Sequence, residues 1–449
     1  MHYIFFTLVA FLYLCTSAVG TTYYLAPPGN HAGGKGTKDS PFGDIQSAWE
    51  AMISGDTLIL QPGDYNVSIA PPKNLSGSSW DNATIITGES KVRLIGAGNR
   101  IAFNGGWQDL SKLAATFGCQ DAACLNQRPS LNRRAHEFFI IRNIEIDGSA
   151  SYKTKQEFSL LLVTNGARRI RFERINAHSF ASPPGSPIDH DAHIMGAFSA
   201  DWAGSSPTGR EYHVEVIMAN STIGPIPEGA TNSIIYWSGR RFQLLDSTII
   251  NGSGIINGVN FNAATETIVL RSTVQNVGFA GGGGSNNVFI GNKFLDSSEW
   301  RTRGHTNMVM HNTFTNTAVA QRFTHVSVHY AHFFAGNIYE SVGTAWRDES
   351  QSRTSLNFIV ARDNLINQGV VNPQDGSVLN PAIVGRAVPP PTLADVFDVS
   401  KIDRQEAFGF WQSIYQRWLA EGGHTTYGAV ASHARPPTVP PPQHLRLLR

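Results

Sequence analysis

Asn287-Val-Phe-Ile-Gly-Asn-Lys-Phe294 and Asn307-Met-Val-Met-His-Asn-Thr-Phe314 are two copies of one unit. Laid on each other, Asn292 meets Asn312, Phe294 meets Phe314 and Asp296 meets Asn316, at an offset of about twenty residues, the short end for stacked repeats. Looser copies stand at Val216–Ile223, Phe242–Ile249, Ile268–Val274, Phe333–Ile338 and Phe358–Leu365. Each copy is a short apolar alternation, a polar turn residue and a second alternation. Period-two patterning over a few residues predicts strand, and Asn, Asp or Gly between strands predicts a tight corner.

One copy cannot bury its apolar side chains alone, so the copies stack and share a continuous core. Successive strands then run parallel with like residues above like. This places Asn220, Asn292, Asn312, Asn337 and Asn364 in one corner column, where their amides satisfy turn backbone. Asn251, Asn276, Asp296, Asn316 and Asn367 mark a second. A sandwich or barrel would need more Asn-Gly hairpin signals than the chain contains. The predicted class is all-β, a parallel β-solenoid.

The chain has 449 residues, yet the pattern runs from about Ile86 to Asn367 without a linker, as one long solenoid with decorated ends. Lys plus Arg number 35 against 34 Asp plus Glu. That balance gives no global signal for nucleic acid or an anionic membrane surface. Residues 1–20 read as an export leader, with an apolar run from Ile4 to Leu14 and a small-residue cleavage site at Ala18-Val-Gly20. A membrane anchor is the competing reading, but the run is too short to span. A lipid anchor at Cys15 lacks the small residues it needs in Leu12-Tyr-Leu14. The expected protein is therefore a secreted monomer. Cys119 and Cys124 remain as a pair expected to form a disulfide in an oxidising compartment, free thiols being the alternative. Sequons stand at Asn66, Asn74, Asn82, Asn220 and Asn251 and matter in a eukaryotic secretory route. The column position argues against modification of Asn220.

The chain from Thr21 reads as a Tyr-rich strand, a Gly-rich loop and then Ser40-Pro-Phe-Gly-Asp-Ile-Gln-Ser-Ala-Trp-Glu-Ala-Met52, with apolar residues at helical spacing and Asp44 as N-cap. Ser54-Gly-Asp-Thr-Leu-Ile-Leu-Gln-Pro-Gly-Asp-Tyr65 follows as turn, strand, turn. This opening, followed by coils, resembles the secreted right-handed parallel β-helix proteins of the pectate-lyase-like superfamily. The resemblance implies a right-handed solenoid over 21–385, with the helix as its N-terminal cap. It does not choose an activity, because that superfamily holds lyases, hydrolases, epimerases and non-catalytic binders. Residues 386–434 read as a Pro spacer and an amphipathic helix, Ile402–Ala420, whose Phe408, Trp411, Ile414, Tyr415 and Trp418 fold back over the solenoid or bind a partner. Residues 435–449 are Pro-rich and basic, and are expected to be disordered.

The strand before each unit is unusually polar and aromatic: Ile235–Ser238, Val259–Asn262, Phe279-Ala280, Trp300–Arg303, Gln321–Phe323 and Trp346–Glu349. Alternation puts Tyr236, Asn260, Arg301 or Arg303, Arg322 and Arg347 on one outward face as a shallow groove. Arginines pair bidentately with carboxylate or sulfate, and rings stack on sugars. A solvated charged face paired with Asp348 and Glu349 is the bland alternative. In the resembled superfamily, acidic-polysaccharide lyases use such a groove. The implied assignments are Arg303 or His305 at the proton, Arg322 and Arg347 at the carboxylate, and His193 at the leaving oxygen, with Tyr236, Asn260 and Arg301 holding substrate.

Asp189-His-Asp-Ala-His193 is a second constellation, flanked by His178 and Asp201. It offers Asp189 and Asp191 to a calcium ion, or an acid/base pair, against a polar loop held by its own turns. It faintly resembles an alginate-epimerase signature, but the proline is missing and the order differs. His305 and His325 align in register beside the groove. Arg303-Gly-His305 with Asn307 resembles a segment of alginate- and chondroitin-cleaving lyases without their neighbouring motifs. The polygalacturonase signatures are absent. The expected partner is an acidic polysaccharide, met by a lyase, an epimerase or a non-catalytic binder.

Overall fold

The twenty-residue offset is the length of one coil. In the computed structural model of the protein, Val288–Ile290 pairs parallel with Met308–Met310 and Lys293–Leu295 with Thr313–Thr315, so that Phe294 stands over Phe314. The structure describes residues 20–28, 33–72, 74–104, 136–155, 159–164, 167–181, 193–198, 214–228, 230, 234–237, 240–250, 259–260, 266–277, 279–282, 286–297, 299–304, 306–326, 332–348, 359–362, 364–366, 387–396 and 402–425. Each coil supplies three short strands to stacked parallel sheets, and the fold is a right-handed parallel β-helix. The chain forms two compact units. One comprises Met1–Gln156, Leu160–Ala177 and Ser199–Val216; the other comprises Glu157–Ser159, His178–Phe198 and Ile217–Arg449.

In the first unit, Thr22–Leu25, Thr57–Leu60, Thr84–Gly88 and Glu137–Asp147 pair parallel in succession. Helix α1 (Ile45–Ala51) begins as its sequence dictates, with the Asp44 carboxylate accepting from the Ser47 N–H at 2.8 Å. It buries Ala48 and Trp49 and lies beside the first strand, where the Tyr23 hydroxyl donates to the Ala51 carbonyl at 3.3 Å. Asp56 closes the next turn by accepting from the N–H groups of Thr21 and Ile53, both at 2.7 Å. A short helix α2 (Ser149–Lys153) follows the Glu137–Asp147 strand.

In the second unit the corners decide the stacking. Asp246, Arg271, Gly291, His311 and Gly336 all have left-handed backbone, with φ of 49, 50, 68, 54 and 65°. That conformation costs a non-glycine residue about 1–2 kcal/mol. The residue after each one carries the compensation. Asn312 accepts through Oδ1 from the N–H and the side-chain amide of Asn292, both at 2.9 Å. Its own amide donates to Asn337 at 3.0 Å and to the Phe289 carbonyl at 3.0 Å. Asn337 repeats this with Asn364, at 3.1 and 2.9 Å, and with the Val309 carbonyl at 2.9 Å. All of these asparagines are buried.

Asn220 is not in this column. It is exposed and holds the left-handed position (φ 51°) one residue earlier. The column continues downward as serines: the Ser221 N–H donates to Ser247 Oγ at 3.1 Å, the Ser247 N–H to Ser272 Oγ at 3.2 Å, and the Ser272 N–H to Asn292 at 2.9 Å. The corner geometry, not the residue type, sets which position lies inside. Burial in a ladder therefore does not protect the Asn220 sequon. The second expected corner holds Asn276, Asp296 and Asn316, with φ of 52, 51 and 52°; Asn251 and Asn367 lie outside the described residues. A further ladder at the remaining corner runs Thr267, Asn287, Asn307, His332.

Inside, Phe294, Phe314 and Tyr339 stack with centroids 4.8 and 5.0 Å apart. The strands Ile268–Leu270, Val288–Ile290 and Met308–Met310 are buried at every residue, so both of their faces are covered. Helix α3 (Ile402–Ala420) is the outer cover. It buries Arg404, Ala407, Trp411, Ile414, Tyr415 and Trp418, with Phe408 only half-buried. Trp411 stacks on Phe333 with centroids 6.1 Å apart and donates to the Thr306 carbonyl at 3.2 Å. A Cβ on Gly291 would stand 2.3 Å from the Trp418 ring, so this corner is glycine for close approach as well as for φ. Residues 435–449, Cys119 and Cys124 lie outside the described residues.

Arg417 and Arg271 hold Glu421 at 2.8 and 2.9 Å at the end of α3. Burial pushes the Glu421 carboxyl up, but the two guanidiniums outweigh it and keep it below the ordinary glutamate value. A depressed carboxyl contributes stability above its unfolded value, about 4.3 for glutamate, and loses it as pH falls through the lower folded value. The protection of α3 amides against exchange, taken relative to the intrinsic rate, is expected to fall below about pH 4 in the native protein and to lose that dependence in Glu421→Gln. Asn312→Ala leaves a buried N–H of Asn292 without its acceptor and is expected to cost about 3 kcal/mol in urea unfolding. Asn316→Ala, at an exposed corner, is expected to cost under about 1 kcal/mol.

Candidate functional site

The strand that precedes each unit forms a sheet of its own in the second unit. Met195–Phe198, Ile235–Trp237, Val259–Asn260, Phe279–Gly282, Glu299–Gly304, Val319–Val326 and Thr344–Asp348 pair parallel in that order. One column is anchored in the core. Ile235 is fully buried, and Trp300 sets its ring edge against Phe289 and Phe294 at 4.7 and 4.4 Å. Ile235 pairs with Val259, Val259 with Ala280, and Ala280 with Trp300.

The next residue of each strand occupies the alternate pleat position. There the register reads Gly196, Tyr236, Asn260, Gly281, Arg301, Arg322, Arg347. Three arginine positions therefore stand on consecutive rungs, about 4.8 Å apart in a parallel sheet. Arg301, rather than Arg303, belongs to the column. Gly281 leaves a rung without a side chain directly below the first arginine. The strands lengthen at the same place, from two to four residues lower down to six, eight and five at the arginine rungs.

His193 and Tyr236 come together as the strand order predicts, because Met195–Phe198 is the rung below Ile235–Trp237. Their rings stack with centroids 5.2 Å apart and planes at 22°. The stack is interior: His193 is 3% exposed and Tyr236 6%. The ring of Tyr236 is thus covered by a histidine rather than open as a platform for sugar, and this end of the column is packed rather than open. His178 shares a hydrogen bond with Ser179 at 2.8 Å. His305, Asp189, His190 and Asp191 lie outside the described residues. Among the described residues no group of three or more His, Cys, Asp or Glu could hold a metal ion, and no helix is long and apolar enough to cross a membrane.

Sequence reasoning missed the anchoring role of Trp300. Its signal is the single large ring set between Glu299 and Arg301 in an otherwise polar run. It also aligned His325 with His305, whereas the pairing sets Thr324–His325 opposite Arg303.

No family model and no curated protein sequence matches the chain. Solved structures do align with it at low identity. Pectate lyase Pel9A aligns at 13% identity over 83% of this chain and 84% of that one, with a TM-score of 0.41. A rhamnogalacturonan lyase aligns at 12% over 82% and 91%, with a TM-score of 0.38. The A-module of mannuronan C-5 epimerase AlgE6 from Azotobacter vinelandii aligns at 11% over 72% and 93%, with a TM-score of 0.32. At these values the likenesses do not speak to activity.

A buried, stacked ring is a packing element. His193→Ala is therefore expected to lower stability by about 1–3 kcal/mol, read as a fall in Tm; an unchanged Tm would make His193 an exposed groove residue instead.

Proposed function

We propose that the protein is a carbohydrate-active β-helix that binds an acidic, uronate-containing polysaccharide along this sheet and cleaves it by β-elimination. The observation that carries the reading is the backbone register of Arg301, Arg322 and Arg347 on three consecutive rungs. Like charges repel, so stacking three guanidinium positions costs stability unless an anion neutralises them. The charge of the whole chain is near neutral at +1, so the basic character is local rather than a polyanion-binding surface at large. Guanidinium forks pair with carboxylates bidentately, which favours a uronate chain over a neutral glycan.

Elimination needs a group that takes the proton beside the uronate carboxyl and cations that steady the charge growing on that carboxylate. Arg322 and Arg347 fill the second role and Arg303 or His305 the first; His193, the candidate acid for the leaving oxygen, is packed against Tyr236 and does not fill that role. Arg301 and Asn260 hold neighbouring sugars, while Tyr236, covered by His193, does not. Asp189 and Asp191 are the calcium candidates, and the steps above use only side chains of the chain. Residues 1–20 direct the protein out of the cell, where a monomer meets its polymer. Glycan binding without turnover is the second reading. The burial of His193, which removes the designated acid from the open groove, favours it. A uronate epimerase would use the same proton step.

The test is ultraviolet absorbance of the unsaturated uronate product on pectate, alginate and glycosaminoglycans, with and without calcium. Turnover by the native protein, reduced about 100- to 1,000-fold in Arg322→Ala with Tm nearly unchanged, is the expected result. Binding without product on any substrate establishes the second reading. Loss of folding in Arg322→Ala would make that arginine a structural ion-pair member.

A further inference from the structure

Two irregularities single out one stretch of the arginine sheet. Glu299 pairs with Val319 but Arg301 with Arg322, so the Val319–Val326 strand has one residue more between those rungs. Thr302 pairs with Phe323 but Gly304 with Val326, so it has one more again. The second extra residue falls at Thr324–His325, and these two together stand opposite Arg303. A bulge of this kind sets two residues against one, bends the strand and re-aims a side chain, and bulges concentrate beside active sites. The neighbouring strand continues without a shift, pairing Arg322 with Arg347 and Phe323 with Asp348. The charged positions around the bulge are thus Arg301 and Arg303 on one side, Arg322 on the same strand, and Arg347 and Asp348 beyond.

We propose that His325 is the catalytic proton carrier of this site, set by the second bulge opposite Arg303 and beside the Arg301–Arg322–Arg347 column. The proposal rests on the β-elimination reading above and replaces Arg303 and His305 in the proton role. A guanidinium does not give up its proton in a protein, whereas an imidazole exchanges one near neutral pH. In the step, neutral His325 takes the proton from C5 of the uronate. The C5–H electron pair becomes the C4=C5 double bond, and the C4–O bond breaks with its pair passing to the glycosidic oxygen. The imidazolium then returns the proton to that oxygen, so His325 ends neutral and no co-reactant is consumed. Arg303 is left to face the developing negative charge.

The experiment follows kcat, KM and their pH dependence on the polyuronate that the native protein cleaves, for the native protein, His325→Gln and His325→Asn. The expected result is a fall in kcat of about 100- to 10,000-fold with KM within about threefold. The limb of the native profile in the imidazole range, about pH 6–7, is expected to vanish from the residual activity. Activity of His325→Gln within about threefold of native, with the limb intact, overturns the assignment while leaving the elimination reading in place. Should both variants fail to fold by circular dichroism, a native profile flat between about pH 5.5 and 8 overturns it, and an inflection there supports it. A native protein that yields no unsaturated product on any substrate removes the elimination reading, and His325 with it.

Discussion

The fold depends on the pairing of one strained corner residue with one buried side-chain amide. A coil turns only if a residue at each corner takes left-handed backbone, which turns a peptide N–H toward the next coil. In this chain that N–H is answered by the oxygen of Asn312, Asn337 or Asn364 one coil later, and by serine hydroxyls lower down. The asparagine amide has two donors and an oxygen that accepts twice, so Asn312 and Asn337 are saturated by their neighbours and by a carbonyl of an earlier coil. Burying them is therefore favourable only in register, and a slip of one residue would strand every group in the column. Register along the stack is what sets residues on successive rungs of the arginine sheet opposite one another.

The cover supplied by α3 follows from the same register. Val288, Ile290, Met308 and Met310 would form an exposed apolar strip on the outer face of their sheet, but all four are fully buried. Trp411, Tyr415 and Trp418 provide the cover. The Arg271–Glu421–Arg417 cluster closes its end, where the corner column of one coil meets the last turn of the helix. With one sheet covered in this way and the ladders buried, the arginine sheet brings three arginine positions onto consecutive rungs.

Within that sheet, the change from Gly281 to Arg301 marks a passage from a bare rung to three cationic ones. The bulges of Val319–Val326 fall on either side of Arg322-Phe323, so the regular ladder is interrupted on both flanks of the central arginine. At the other end the His193–Tyr236 stack is interior. The chemistry of the column is therefore concentrated in its upper three rungs, rather than spread along its length.

Much of this was legible in the residues themselves. The twenty-residue offset, the Asn292–Asn312–Asn337 column, the Asp44 cap and the apolar face of Ile402–Ala420 follow from local periodicity and capping chemistry, which need no knowledge of distant contacts. The arginine column was also legible, because alternation within a strand is local. Tertiary structure decided what adjacency in sequence cannot. Asn220 matches the repeat by type, yet falls one residue outside the ladder, because backbone conformation at the corner chooses the inward position. His193 is polar and motif-rich, yet it packs against Tyr236 from a strand more than thirty residues away. The strands of the helix-covered sheet, read in sequence as a simple alternation, are buried on both faces, and only the folded chain shows that and names the cover. The bulge at Thr324–His325 is a mismatch between two strands, and a mismatch has no existence in either strand alone.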